Sequence, residues 1–326
     1  MIDGPPRRRG RIASRLAGGL LLAALAWIAV GGLMSIAGAP TPRGEFVDIG
    51  GRRLRMVCEG LKGPGPTVVL ESGAFGFAAD WAAVQDKLTA KGVRSCAYDR
   101  AGMGYSDPGP SPRDGIAGVE DLEKLLAVSG ESAPYILVGH SMAGLRVWLY
   151  ARRNPGKTAG IVLVDATTPA VSATPTGQGF LKQFGRLSQL AAWAAGAGLL
   201  KPVAPMVSDS IGLPPQANAE KRWAFASARH NRTSAEEVEQ WASAAEQAAA
   251  AGPLDPDLPV AVVTAGRRPA GWRSLQDAPA LASRRGYIAN VEAADHASLL
   301  GLRYGDAIVE AIDFVRAPGD AARSAG

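Results

Sequence analysis

Apolar and polar positions follow two regimes along this chain of 326 residues. From Leu16 to Ala39 no residue is charged. As a helix rising 1.5 Å per residue, that stretch is about 36 Å long, enough to cross a ~30 Å hydrocarbon core. It has no polar face, which argues against a core helix of a soluble domain. Beyond Pro40 the apolar runs become short. Residues 45–49 and 52–58 read as two strands joined at Gly50-Gly51, a hairpin signal. Thr67-Val68-Val69-Leu70, Val93 to Tyr98, Tyr135-Ile136-Leu137-Val138, Ile161-Val162-Leu163-Val164, Pro259 to Ala265 and Gly286 to Val291 read as buried strands. Helical spacing lies between them. Trp81, Val84 and Leu88 mark a helix over about 80–90, and Val119, Leu122, Leu125 and Leu126 mark one over about 115–129, capped by Asp114. Leu145, Trp148 and Leu149 mark another that stops at Asn154-Pro155, and a last helix covers about 303–315.

Strands alternating with helices predict a mostly parallel sheet covered on both faces. Residues 167–256 break this pattern. They are Ala-rich, with helical runs near 179–195, 217–230 and 234–250, and Thr233-Ser234-Ala235-Glu236 reads as a capping box for the last. Trp193, Trp223, Phe225 and Trp241 give this block apolar groups to bury, so it reads as a helical cap rather than a linker. The expected organisation is a basic segment at 1–15, a transmembrane anchor at 16–39, a short linker at 40–44, a core at 45–166 and 257–316 interrupted by the cap at 167–256, and a disordered tail at 317–326.

Charge changes the picture only at the N-terminus. The formal net charge is +5, of which +4 falls in the first fifteen residues through Arg7, Arg8, Arg9, Arg11 and Arg15 against Asp3. No nucleic-acid surface is implied. The positive-inside bias keeps residues 1–15 in the cytoplasm and exports the rest as a single-pass membrane protein. The rival is a secreted domain released by cleavage after Ala39, since Ala37-Gly38-Ala39 resembles a signal-peptidase site. The two cysteines, Cys58 and Cys96, both fall in expected strands. In an exported domain they are free to bond, and two core thiols are the alternative. With three histidines and no Cys-x-x-Cys, no metal-ligand spacing is present.

The chemistry gathers at Gly139-His140-Ser141-Met142-Ala143-Gly144. A buried strand runs straight into a helix here, with one serine between small residues. That is the pattern of a nucleophile elbow, a strained turn that lifts a hydroxyl clear of the sheet edge. Ala143 stands where the pattern has glycine. Taken with Glu71-Ser72-Gly73, the loop Asp99-Arg100-Ala101-Gly102-Met103-Gly104-Tyr105-Ser106, Val164-Asp165 and Asp295-His296, the chain over roughly 45–316 resembles the α/β-hydrolases, specifically the capped serine hydrolases.

The resemblance implies a hydrolase of esters, lipids or amides that needs no cofactor. Ser141 would be the nucleophile and His296 its base. His140, beside the serine on a sharp turn, is expected to point elsewhere, and His230, near Arg229 and Arg232, to be solvated or to line the pocket. Relatives often carry the acid after the post-cap strand, but Thr264 to Trp272 holds no carboxylate. Asp165 ends the strand after the elbow helix, about 4.8 Å from the neighbouring strand, and its place between Ser141 and His296 matches the fold's order of nucleophile, acid and base. Asp277 and Asp295 are the alternatives, and a loop-capping role is the structural alternative for Asp165. Met142 and Ala74 would supply oxyanion N–H groups. Asp99 and Arg100 are expected to pair, with Gly102 and Gly104 turning tightly beside the elbow. In such a fold the second and fourth strands are neighbours, so the resemblance also implies a Cys58–Cys96 bond. The substrate expected is a small acyl compound. An acyltransferase, a cofactor-free peroxidase and a non-catalytic binding module at the membrane are the competing readings.

Overall fold

The computed structural model describes residues 7–36, 38–204, 206 and 209–318. Residues 1–6 of the basic segment, Ala37 of the cleavage-like site and residues 319–326 of the tail lie outside the described residues.

Eight strands form one sheet: β1 (Glu45–Asp48), β2 (Arg53–Glu59), β3 (Val68–Glu71), β4 (Ser95–Tyr98), β5 (Tyr135–His140), β6 (Thr158–Val164), β7 (Val260–Ala265) and β8 (Gly286–Val291). Their spatial order is β1-β2-β4-β3-β5-β6-β7-β8. β1 and β2 pair antiparallel, as do β2 and β4, and every other pair is parallel. The hairpin turns at Gly50 and Gly51, both at positive φ, with their N–H groups donating to Asp48 Oδ1.

The central strands read as unbroken apolar runs because both faces are buried. Val68 and Leu70, Ile136 and Val138, and Val162 and Val164 face one core, packed on Trp81, Val84 and Leu88 of one helical stretch and Ile308, Ile312 and Val315 of the last helix, Asp306–Arg316. Val69, Leu137, Ile161 and Leu163 face the other, against Val119, Leu122 and Leu125 of helix Gly115–Val128 and Val147 and Tyr150 of helix Ala143–Arg153. Asp114 caps its helix by accepting from Ala117 N.

Between β6 and β7 the chain is helical, with the long elements Pro175–Gly196, Pro215–Phe225, Ala228–Glu239 and Trp241–Ala250. The capping box expected at Thr233 is not used. That helix begins at Ala228 under the side chain of Ser227, which accepts from His230 N, and the chain bends at Gln240 instead. A helix at Ala270–Ala282, not expected from its pattern, joins β7 to β8 and contains Pro279 near its end.

Buried ion pairs fasten the helical insert to the sheet. Arg55 on β2 pairs with Asp99 and with Glu220 of the insert, and Arg100 pairs with Glu237 of the insert at 2.8 Å. The expected Asp99–Arg100 pair is therefore corrected: each takes a different partner, because successive residues leaving a strand point to opposite faces. The turn at Gly102 and Gly104 packs on the insert rather than the elbow; a Cβ on Gly102 would lie 2.5 Å from Thr233 Oγ1.

The first helix, Arg7–Ile36, carries the window Ile12–Gly31, apolar and long enough to cross a membrane; a signal sequence has the same properties. Its residues 12–30 are exposed, unlike those of a core helix. Its C-terminal part touches the insert, where Trp27 Nε1 donates to Leu199 O at 3.1 Å. The linker that follows is tied down, since Tyr105 Oη donates to Pro40 O and Arg43 pairs with Glu220.

Cys58 and Cys96 are register partners across β2 and β4 and form a disulfide. The bond closes a loop with a sequence separation of 38 residues. Replacing both cysteines by alanine should lower unfolding stability by about 2–4 kcal/mol, read as a shift of the denaturant midpoint. Non-reducing peptide mapping that finds both thiols free would contradict the pairing.

His230 is fully buried and bridges the insert and the core. Gly104 N donates to its Nδ1 at 3.0 Å, which leaves Nε2–H to donate to Phe75 O at 3.2 Å. Burial, with Lys221 nearby, pushes its pKa down to about 3. His140 is likewise held at about 3 by burial and the nearby His296. Each unfolded histidine takes up a proton near pH 6.5 while its folded counterpart does not. Stability should therefore fall as the pH drops from about 6.5 toward 3, by up to about 1.4 kcal/mol per pH unit for each histidine. Equilibrium unfolding between pH 7 and 4.5 that shows no such slope would exclude the neutral, buried state of both rings.

Candidate active site

The site lies at the C-terminal edge of the parallel strands, where Glu71 pairs with Gly139, His140 with Val164 and Val164 with Val263. Ser141 and Asp165 therefore leave adjacent strands side by side. Both are non-glycine residues at positive φ, 56° and 39°. Such a conformation costs on the order of 1–3 kcal/mol and persists only where the surroundings enforce it. Here the backbone enforces it: Ser141 N donates to Val164 O, Thr167 N donates back to Ser141 O, and Asp165 N donates to Val263 O.

Two glycines keep the elbow tight. A Cβ on Gly139 would stand 2.8 Å from Val147, and one on Gly144 would stand 2.4 Å from Thr167 O. The close approach to the neighbouring loop thus falls on Gly144, and Ala143 fits within the core at no exposure.

His296 follows β8 and turns back over β6. Its Nδ1 lies 2.6 Å from Asp165 Oδ2. Asp165 also accepts from Arg268 Nη2 at 3.0 Å and Gln276 Nε2 at 3.2 Å. Burial alone would raise the Asp165 pKa, but the bond to His296, that ring's charge, Arg268 and Gln276 outweigh it and hold the carboxyl at about 2. Arg268 and Gln276 were missed from sequence. The available signal was the stretch after β7, which lacks a carboxylate but carries two arginines. The other two acids sit elsewhere. Asp295 Oδ1 accepts from Ala297 N and Ser298 N as a turn cap, and Asp277 makes no contact with His296 among the described residues.

His140 makes no hydrogen bond to Ser141 among the described residues, in keeping with its being expected to point elsewhere, and it turns toward the His296 backbone. Its ring lies 4.4 Å from that of His296, centroid to centroid, and its Nε2 is 2.9 Å from the His296 carbonyl, which it fixes in place. His230 is neither solvated nor in the pocket; it is 1% exposed and holds the Phe75 carbonyl.

The loop Ser72–Gly76 has its carbonyls drawn inward. Arg146 and Arg100 donate to Ser72 O at 2.7 and 2.6 Å, Arg100 donates to Gly73 O, and Lys221 joins His230 on Phe75 O. The N–H groups of Ala74 and Met142 donate to no protein acceptor among the described residues. A Cβ on Gly73 would lie 2.7 Å from Ser141 Cβ, so this loop runs directly against the serine.

Ser141, Asp165 and His296 line one cavity of about 530 Å³, walled by Val171, Phe180, Leu181, Trp241 and Trp272. Ser141 Oγ makes no hydrogen bond to His296 among the described residues. One cluster with metal-ligand chemistry occurs among the described residues, Cys58, Cys96 and Glu131, and both sulfurs there are spent in the disulfide.

Known proteins agree with this architecture. A family model for the alpha/beta hydrolase fold matches residues 66–248. A probable transporter of Hormonema carpetanum is 37% identical over 129 residues, 38% of this chain and 18% of that protein. The chain spans less than half the length of the curated relatives it matches. Among solved structures, a thermophilic esterase from Thermogutta terrifontis superposes with a TM-score of 0.61 at 19% identity, covering 85% of this chain and 100% of that one. A putative epoxide hydrolase from Pseudomonas aeruginosa superposes with a TM-score of 0.65 at 18% identity, covering 88% and 98%. From the matched family model, the sheet order and the strained serine between β5 and its helix, the chain belongs to the α/β-hydrolase fold family.

Proposed function

We propose that this chain is a serine hydrolase that cleaves a carboxylic ester or related acyl substrate through an acyl-enzyme. The observation that carries the reading is the 2.6 Å contact between His296 Nδ1 and Asp165 Oδ2 in the wall of the cavity that holds Ser141. Asp165, ionised down to about pH 2, keeps the Nδ1 proton on the ring and leaves the Nε2 lone pair to act as base. Substrate binding draws the Ser141 hydroxyl onto Nε2, a contact that is commonly loose before substrate arrives. Ser141 Oγ then bonds to the carbonyl carbon as its proton passes to Nε2. The oxyanion is met by the Met142 and Ala74 N–H groups. Collapse expels the alcohol, which takes the proton from Nε2, and water repeats the sequence to release the acid and free Ser141.

The helical insert serves as the cap in this reading. Phe180, Leu181 and Trp241 come from it, and Trp272 completes an apolar wall suited to an apolar acyl group. The N-terminal helix is read as an uncleaved anchor with the hydrolase domain outside the cytoplasm. Five arginines precede its uncharged stretch, whereas the far flank has only Arg43 and Glu45, and a Cys58–Cys96 disulfide suits an oxidising compartment.

Substitutions test the mechanism residue by residue. Ser141→Ala and His296→Ala should each lower kcat for ester hydrolysis by on the order of 10⁴-fold or more with the fold intact, because the group acts as a unit. Asp165→Asn should lose several orders of magnitude in kcat with KM much less changed, while Asp277→Asn and Asp295→Asn stay within roughly tenfold of wild type. Wild-type turnover in folded Ser141→Ala would end the proposal. A large loss confined to Asp277→Asn or Asp295→Asn would move the acid.

The topology has its own test. Protease added to intact spheroplasts should digest the domain from residue 45 onward and leave the N-terminal arginines protected. A mature protein beginning at Pro40 would establish cleavage instead.

A further inference from the structure

The insert helix Pro175–Gly196 leaves large apolar side chains uncovered. Phe180 is 51% exposed, Leu187 54%, Leu190 63% and Trp193 70%. Phe180, Leu187 and Leu190 fall within a sector of about 80° on a helix of 3.6 residues per turn, and Trp193 extends it at the C-terminal end. The helix has two charged residues, Lys182 and Arg186, and no acid. An apolar stripe with cations along one edge and no acid is a composition suited to a helix lying in a membrane interface.

Its two ends identify the occupant. The C-terminal end meets the candidate membrane span: Trp27 donates to Leu199 O, and Gly31 comes so close that a Cβ there would stand 2.6 Å from Gly198 O. Both contacts lie in the last turns of the apolar window Ile12–Gly31, so the chain just beyond Trp193 meets the span near the end of that window. A cavity of about 970 Å³ between the two, lined by Ile28, Lys201, Arg229, Arg232 and an Arg222 that pairs with Asp209, adds positive charge beside the span. At the other end, Phe180 and Leu181 line the cavity that holds Ser141. Thirteen residues at 1.5 Å each separate Phe180 from Trp193, so the stripe runs about 20 Å from the span to the cavity. The linker contacts Tyr105–Pro40 and Arg43–Glu220 hold the domain in this attitude to the span.

We propose that helix Pro175–Gly196 lies in the surface of the bilayer that the N-terminal helix enters, and that acyl substrate dissolved in the lipid reaches Ser141 along its apolar stripe. The inference rests on the anchored-hydrolase reading, and its test separates the two. Leu187→Cys, Leu190→Cys and Gln189→Cys are made singly in the full-length chain and labelled with a nitroxide; the native cysteines, bonded to each other, do not take the label. The protein is placed in vesicles of mixed phosphatidylcholine and phosphatidylglycerol. Labels at 187 and 190 should be relaxed by oxygen more than by a water-soluble nickel chelate, and the label at 189 should show the reverse. Equal access to nickel at all three positions overturns the docking. Spin–spin broadening at 190 that disappears on dilution with unlabelled protein overturns it in favour of a second copy of the chain. This readout needs no turnover, so it stands whether or not the hydrolase reading does. For delivery, Leu187→Gln with Leu190→Gln should lower turnover of a bilayer-dissolved ester about tenfold while a water-soluble ester stays within about twofold. Equal effects on both esters overturn the delivery route.

Discussion

The site depends on one buried carboxylate. Glu71 ends β3 at no exposure, where Arg100 and Arg146 donate to its Oε1 at 3.1 and 2.8 Å and the Tyr98 hydroxyl to its Oε2. Glu237 from the helical insert closes the other side of Arg100. Two guanidiniums against two carboxylates leave no net charge. The donor groups left over are spent on the carbonyls of Ser72, Gly73 and Gly76. Desolvating four ions is expensive, and an apolar replacement of the whole cluster would often be as stable. Removing one member is different, because it strands an opposite charge in the core at about 3–5 kcal/mol. What the cluster adds is direction. With its carbonyls pulled inward, the loop beside Ser141 is left with the Ala74 N–H unspent among the described residues, in keeping with the oxyanion role proposed for it.

The remaining histidines serve the same edge. His140 and His230 are both buried and held neutral, and each fixes one backbone carbonyl: His296's in the first case, Phe75's in the second. All three histidines thus converge on one place, one bonded to Asp165 and two steadying the loops on either side. His230 comes from the insert, as do Lys221 and Glu237, so the insert does more than cover the cavity. It positions the loop that runs against the serine.

Local pattern made most of the sheet legible. The central strands announce themselves because both their faces are buried, and the elbow does so because Gly139 is required by contacts with Ala143 and Val147, within a few residues of the serine. The proximity of Asp165 and His296 followed from strand ends on one sheet edge. Long-range partners left no such trace. Arg100 and Glu237 are 137 residues apart, and a charged pair beside a strand end, Asp99-Arg100, suggests a local bridge until the pleat sends the two side chains apart. Gln276 supports Asp165 from a helix hidden by its own Pro279 and Arg268 from the loop before that helix, and the bond of His140 to the His296 carbonyl has no local signal. The start at Ser227 rather than Thr233 shows two adequate caps in competition, decided by where the helix packs.

The central claim is that Ser141 is a nucleophile activated through His296. Labelling of the folded protein with a fluorophosphonate, followed by peptide mass spectrometry, tests it most directly. The account predicts one stoichiometric adduct, on Ser141, that disappears in His296→Ala. A folded protein that takes no label at Ser141, or takes it equally without His296, would contradict the account and leave a binding module with a hydrolase fold.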